Sequence, residues 1–284
     1  MPLIDPLPEI HAAKAGRYAL GAFNMHNEET TEALLWAAEQ ANAPVILQVG
    51  EAIIPHMGIE RAFEMTKRIA ERSSAKYVIH LDHGRWEQVL SAIKLGFNSI
   101  MYDGSHLPFE ENIAKTKQIV EICHEFGIPV EAELGRIPDA GEQVNWDDYY
   151  TDVAEAEKFA KETGIDTLAI SVGIVHGVAA GKPQPLDIPR IEKIRDATGI
   201  PLVLHGASGI PEDQVIAARE AGVHKFNADT DLRHAFRAGI EAVWSQGDRQ
   251  LEDAMAEGRT RMVAATIQKM ELYGCAAKAG RAAA

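Results

Sequence analysis

Tyr77-Val-Ile-His-Leu-Asp-His83 is a run of apolar and β-branched residues that gives out in an aspartate and a histidine. That pattern reads as a buried strand with chemistry at its C-terminal tip. Two further runs give out toward histidines: Leu168-Ala-Ile-Ser-Val leads to His176, and Pro201-Leu-Val-Leu leads to His205. Outward from these, short β-rich runs alternate with longer amphipathic ones from residue 19 to about 228, the pattern of a parallel sheet wrapped by helices. Eight strands are predicted: Ala19 to Asn24, Val45 to Val49, Tyr77 to Leu81, Ser99 to Tyr102, Pro129 to Glu133, Thr167 to Val172, Leu202 to His205 and Lys225 to Ala228. Between them, Glu28 to Asn42 and Phe109 to Phe126 repeat apolar residues at helical spacing, with Ile113, Ile119, Val120, Ile122 and Cys123 as one buried stripe. Gly96, Gly127, Gly164 and Gly222 each precede a strand, as helix C-caps do. The expectation is an α/β protein, a (β/α)8 TIM barrel forming a single domain over residues 1–284 with a C-terminal helical extension from about 232. Leu232 to Gln246 would close the barrel, and Leu251 to Tyr273 would be an appendage, suited to a neighbouring subunit.

Composition narrows the function. The chain has 284 residues, 46% hydrophobic and 25% charged, which excludes a disordered or low-complexity chain. A net charge of -14 without a Lys/Arg-rich run argues against nucleic-acid or anionic-membrane partners. No basic segment leads into an apolar stretch at the N-terminus, and no apolar run is long enough to span a bilayer, so a cytoplasmic location is expected. Cys123 and Cys275 show no CxxC spacing and read as structural.

Polar or ionisable residues recur at the predicted C-terminal ends of the strands: Asn24, Gln48, Asp82, His83, Asp103, Glu133, His205 and Asn227. In a parallel barrel these ends share one rim, where barrel enzymes keep their chemistry. His83, His176 and His205 would make a three-imidazole metal site with an open position. Asp82 beside them suits either proton transfer on a metal-polarised carbonyl or an orienting contact to a histidine. His80 is compatible with either a core or a site role. The glycine turns Gly173-Ile-Val-His-Gly177 and His205-Gly-Ala-Ser-Gly209, with Asn227-Ala-Asp-Thr230 after the last strand, point to an anion cradle, because loops after strands seven and eight hold phosphate in such barrels. Two connections are long, Arg136 to Asp152 and Gly173 to Asp187.

Several motifs coincide with one known family: Gly21-Ala-Phe-Asn24, His80-Leu-Asp-His83, Gly96-Phe-Asn-Ser-Ile-Met-Tyr-Asp-Gly-Ser105, Val130-Glu-Ala-Glu-Leu-Gly135, His176-Gly177, Pro201-Leu-Val-Leu-His-Gly-Ala-Ser-Gly209 and Asn227-Ala-Asp-Thr-Asp-Leu-Arg233. From about Gly21 to Arg237 the chain resembles the class II, metal-dependent fructose/tagatose-bisphosphate aldolases. The resemblance implies a lyase of carbohydrate metabolism that reversibly cleaves a phosphorylated ketose to dihydroxyacetone phosphate and an aldehyde. It implies one catalytic Zn2+ on His83, His176 and His205, with room for a monovalent cation, and Glu133 and Asp103 as acidic residues near the metal, Glu133 being an alternative ligand. Asp82 then exchanges the C4 hydroxyl proton, and Glu142 is the best match for the loop acid that serves the last proton transfer. Asn24, Gly177, Gly206, Ser208, Asn227, Asp229 and Thr230 match positions for substrate and its C1 phosphate. A homodimer or homotetramer is implied by the same analogy.

Departures concern the substrate. The family's phosphate-assisting lysine is absent at Ala180, with Lys182 two residues on; the serine after the second strand is Gly50; and Pro138-Asp139 replaces the glycine pair before the loop acid. Arg249 follows Asp248 where the family has Asp-Pro-Arg, and is a candidate for the distal group. The alternatives are a diverged aldolase acting on a ketose monophosphate or on a ketose with a distal sulfonate or carboxylate. From other classes, they are a metal-hydrolase barrel and a non-catalytic sugar-phosphate binder.

Overall fold

A computed structural model of the chain describes residues 3–138, 145–175 and 185–280. The strands β1 (Leu20–Asn24), β2 (Val45–Val49), β3 (Tyr77–Gly84), β4 (Ser99–Tyr102), β5 (Val130–Leu134), β6 (Thr167–Ile170), β7 (Leu202–Leu204) and β8 (Val223–Ala228) close in chain order into one parallel barrel. The helices are α1 (Pro6–Gly16), α2 (Glu28–Ala41), α3 (Ile54–Met57), α4 (Ile59–Ala70), α5 (Trp86–Leu95), α6 (Phe109–Glu125), α7 (Val153–Thr163), α8 (Ile188–Thr198), α9 (Glu212–Ala221), α10 (Thr230–Trp244) and α11 (Leu251–Tyr273). Among the described residues no helix is long and apolar enough to cross a membrane.

Local chemistry sets the alternation. Asn27 starts α2 through a capping box, its side chain accepting from the Thr30 amide while Thr30 Oγ1 accepts from the Asn27 amide. Asp152 caps α7 by accepting from the amides of Ala154 and Glu155. The four predicted junction glycines all have positive φ, so each helix end turns back to the sheet without a Cβ penalty. On α6 the buried stripe differs from the apolar one: Ile122 is only partly covered, whereas Asn112 and Thr116 are buried. Thr116 Oγ1 donates to Asn112 Oδ1, and the Asn112 amide donates to the Glu133 carbonyl, so the polar pair braces the tip of β5.

Inside the barrel, strand alternation separates two kinds of surface. Met101, Ala169 and Val203 form a small apolar cluster. In register with it run polar residues: Gln48 pairs with His80 across β2 and β3, His80 with Ser99, Met101 with Glu131, and Val203 with Lys225. The large apolar core fills the space between strands and helices and continues inward through Ala22, Ile46 and Val78.

The last helix does not stand off as an appendage. It lies along α10 and α2, and Tyr273 stacks on Phe226, with ring centroids 4.7 Å apart, and on Phe23 at 6.4 Å. The Ala19 amide donates to the Tyr273 carbonyl at 2.9 Å. An amphipathic helix at the chain's end is as able to complete the barrel's own outer layer as to meet a partner, and here it completes the layer over β1 and β8. Tyr273→Ala is expected to cost about 3–5 kcal/mol in urea unfolding. Tyr273→Phe should stay close to wild type, because the phenol oxygen is buried without a hydrogen-bond partner among the described residues.

Candidate active site

A cavity of about 530 Å³ opens at the C-terminal rim, and Asn24, Asp82, His83, Asp103, Glu133, His205, Gly206, Ser208, Asn227, Asp229 and Thr230 line it. Most of the expected site residues therefore meet in one place. Arg249 is exposed in the connection between α10 and α11 and does not line this cavity. His176, Gly177, Lys182 and Glu142 lie outside the described residues.

Adjacent residues on an extended strand point to opposite faces, yet Asp82 and His83 both line the cavity. The backbone explains it. The predicted strand ends at Leu81, but β3 runs on to Gly84, with a register shift against β4 between Leu81 and Gly84. His83 has φ 48, a left-handed conformation uncommon for a residue with a side chain, and this breaks the alternation at the reacting end of the strand.

Asp82 is buried and held by three amides. Gln48 Nε2 and Asn227 Nδ2 donate to Oδ1 at 3.1 and 3.3 Å, and Asn24 Nδ2 donates to Oδ2 at 3.3 Å. Burial works against its charge, but His83, His205 and Lys225 hold its carboxyl below the ordinary range. Gly50 passes close by: a Cβ there would come within 3.0 Å of Asp82 Oδ2, so the glycine leaves that carboxylate clear.

Of the three expected ligand histidines, the two that are described, His83 and His205, converge. His83 Nε2 and His205 Nδ1 face each other at 3.0 Å. Each ring is pinned from behind by a carboxylate, His83 Nδ1 to Asp103 Oδ2 at 2.9 Å and His205 Nε2 to Glu131 Oε1 at 2.9 Å. Burial disfavours a charged His83, yet Asp82, the Asp103 hydrogen bond and Glu133 raise it to about 10, so this locus calls for a positive charge. Burial, then the charge of Asp103, push Glu133 up to about 8 against the opposing pull of His83. His205 is moved the other way, lowered by burial and by His83.

This donor set fits a divalent metal ion. Ligand atoms of Asp82, His83 and His205 lie within 4.8 Å of one another, as do those of His83, Asp103 and Glu133. Glu133 Oε2 is buried without a hydrogen-bond partner among the described residues. Imidazole and carboxylate around one point, backed by carboxylates, is the chemistry of such sites.

At the other side of the cavity, the Asp231 amide at the start of α10 donates to Ser208 Oγ at 3.2 Å. Because Ser208 accepts there, its own hydroxyl proton is available to an anion. Asp229 is balanced by His26 and Arg233, each at 2.7 Å. Neither partner was among the expected site residues, nor were Glu131 and Lys225. A signal for the last two exists: Glu131 shares a face with Glu133, and Lys225 with Asn227, because residues two apart in a strand point the same way.

Known proteins resemble this chain over nearly its whole length. The profile described as fructose-bisphosphate aldolase class-II matches residues 8–278. Fructose-bisphosphate aldolase of Geobacillus stearothermophilus is 40% identical, the match covering 99% of this chain and 100% of that protein. Fructose-bisphosphate aldolase of Thermus caldophilus is 37% identical, covering 98% and 100%. The crystal structure of the YdjI aldolase from Escherichia coli K12 aligns with a TM-score of 0.88 at 34% identity, covering 98% of this chain and 100% of that one. Barrel and relatives together define an aldolase, a carbon–carbon lyase. This chain belongs to the class II fructose-bisphosphate aldolase family.

His83→Ala and His205→Ala should each lower bound divalent metal from stoichiometric to substoichiometric levels, measured by elemental analysis of purified protein.

Proposed function

We propose that the chain reversibly cleaves a phosphorylated ketose, of the fructose or tagatose 1,6-bisphosphate type, to dihydroxyacetone phosphate and an aldehyde, with zinc as its metal. The observation that carries this reading is Asp82: a carboxylate fixed by three amides, beside two converging imidazoles, in a cavity that extends to Ser208 and Thr230. His83 and His205 would hold the ion with His176. Bound there, a divalent cation supplies Lewis-acid polarisation of the ketose carbonyl and offsets the negative charge that develops as the C3–C4 bond breaks.

The chain's own groups do the rest. Asp82 is anionic and oriented, and Oδ2 carries one amide bond where Oδ1 carries two, so Oδ2 is the atom that takes the C4 hydroxyl proton. The C1 phosphate sits with Gly206, Ser208 and Thr230 at the N-terminus of α10, where backbone amides and the helix dipole favour an anion. Glu142 remains the proposed acid for returning a proton to C3. A cytoplasmic homodimer or homotetramer is part of the same reading, and exposed Trp244 and Leu251 supply apolar surface for assembly.

Gly50 favours a second reading within this class. The space it leaves lies beside Asp82 Oδ2, where the C4 end of the ketose would sit, so a diverged ketose, a monophosphate or one with a distal sulfonate or carboxylate, is the second reading.

Asp82→Ala should retain zinc and lose about 10²–10⁴-fold in kcat. Wild-type cleavage by that variant would remove Asp82 from the reaction. A chelator should abolish turnover and added zinc restore it, whereas borohydride with substrate should leave the enzyme active, because no lysine imine forms. Dihydroxyacetone phosphate release from a panel of ketose bisphosphates and monophosphates, each beside its C4 epimer, decides between the two substrate readings.

A further inference from the structure

Lys225 and Glu131 form an ion pair inside the barrel, one layer below the rim. Lys225 Nζ lies 2.8 Å from Glu131 Oε2, and Glu131 Oε1 lies 2.9 Å from His205 Nε2; the lysine and glutamate side chains are 2% and 3% exposed. Neither residue lines the cavity. Taking both charges out of water costs several kcal/mol per ion, and a well-packed apolar pair is often as stable or more so. Stability therefore gives no reason for this pair, and the reaction described above does not use it.

We propose that Lys225 and Glu131 are positioning residues that fix which nitrogen of His205 faces the divalent ion. The proposal rests on the reading of His205 as a metal ligand. A histidine ring can turn over about its Cβ–Cγ bond and exchange its two nitrogens, and what prevents this is the partner of the nitrogen turned away from the site. Glu131 Oε1 takes the Nε2–H of His205, which leaves the Nδ1 lone pair directed at His83 Nε2. Lys225 in turn fixes Glu131. With Nζ on Oε2, the carboxylate is locked in the plane that aims Oε1 at the imidazole. Among the described residues the other side chain near Oε2 is Thr167, whose Oγ1 at 3.5 Å is too far to hold that orientation. On the opposite wall Asp103 plays the equivalent part for His83 through Nδ1 and leaves Nε2 forward. Two rings with opposite nitrogens pinned thus present one nitrogen each to a common point. Asp103 lines the cavity and is anchored at Oδ1 by the Ser105 amide at 3.0 Å, whereas Glu131 is sealed in the barrel interior and is anchored by a lysine.

The test uses the full chain, with zinc affinity measured by competition against a chromophoric chelator and the His205 tautomer read from ¹⁵N-histidine spectra of the cadmium-loaded protein. Lys225→Met is expected to weaken zinc binding about 10- to 100-fold and to replace the single Nδ1-coordinated form of His205 by a mixture. A folded Lys225→Met variant with wild-type affinity and one Nδ1-bound form overturns the proposal. Should the lone buried carboxylate prevent folding, Lys225→Met/Glu131→Leu removes both charges; the same loss of affinity supports the proposal and wild-type affinity overturns it. His205→Ala separates the two readings. Zinc retained at full affinity by that variant refutes the ligand assignment and the proposal with it, while zinc lost there but bound normally by the Lys225 variants refutes the proposal alone.

Discussion

Two neighbouring side chains must enter the same cavity, and an extended strand does not allow it. The left-handed turn at His83 is the constraint on which the site depends. It is followed by Gly84, where an added Cβ would meet the Met101 carbonyl at 2.7 Å, so the strand can swing inward against β4 only because that position has no side chain. Once Asp82 and His83 share a face, the remaining contacts follow. Amides from β1, β2 and β8 reach the carboxylate, and Asp103 beyond β4 reaches the ring.

Charge is layered along the barrel axis. The rim carries Asp82, Asp103 and Glu133 around two imidazoles, an arrangement that leaves a deficit of positive charge where the histidines meet. Below it sit His80, Glu131 and Lys225. Burial and the adjacent lysine push His80 down to about 3, so it is neutral and serves as a hydrogen-bonding spacer to Ser99. Met101, Ala169 and Val203, with Ala22, Ile46 and Val78, supply apolar parts of the interior. A barrel usually fills its centre with branched apolar side chains; here much of that volume is given to groups that orient the rim.

Much of this was legible in the amino-acid order. The bounds of β2 and β4 agree with the predicted runs, because apolar stretches between turn residues leave little latitude. The junction glycines were readable for the same reason that they are needed, a positive φ at each helix end. Rim residues were legible as polar endings of apolar runs. Less legible were groups whose role depends on register: Glu131 and Lys225 lie within strands, and only the closed barrel shows that β5 and β8 face each other across its interior. The turn at His83 leaves only a faint compositional trace, since histidine is enriched at left-handed positions yet seldom adopts them. His26 and Arg233 became visible only through the Asp229 carboxylate that they flank.

The contact between Ala19 and Tyr273 also bears on the order in which the molecule is built. β1 is synthesised well before β8 and α11, yet one of its flanks and part of its outer cover come from them. Until those arrive, β1 has an unpaired edge beside β2, and such edges invite wrong partners. Closure is thus a long-range event, since β1 and β8, the strands that seal the barrel, are the most distant of the eight in sequence.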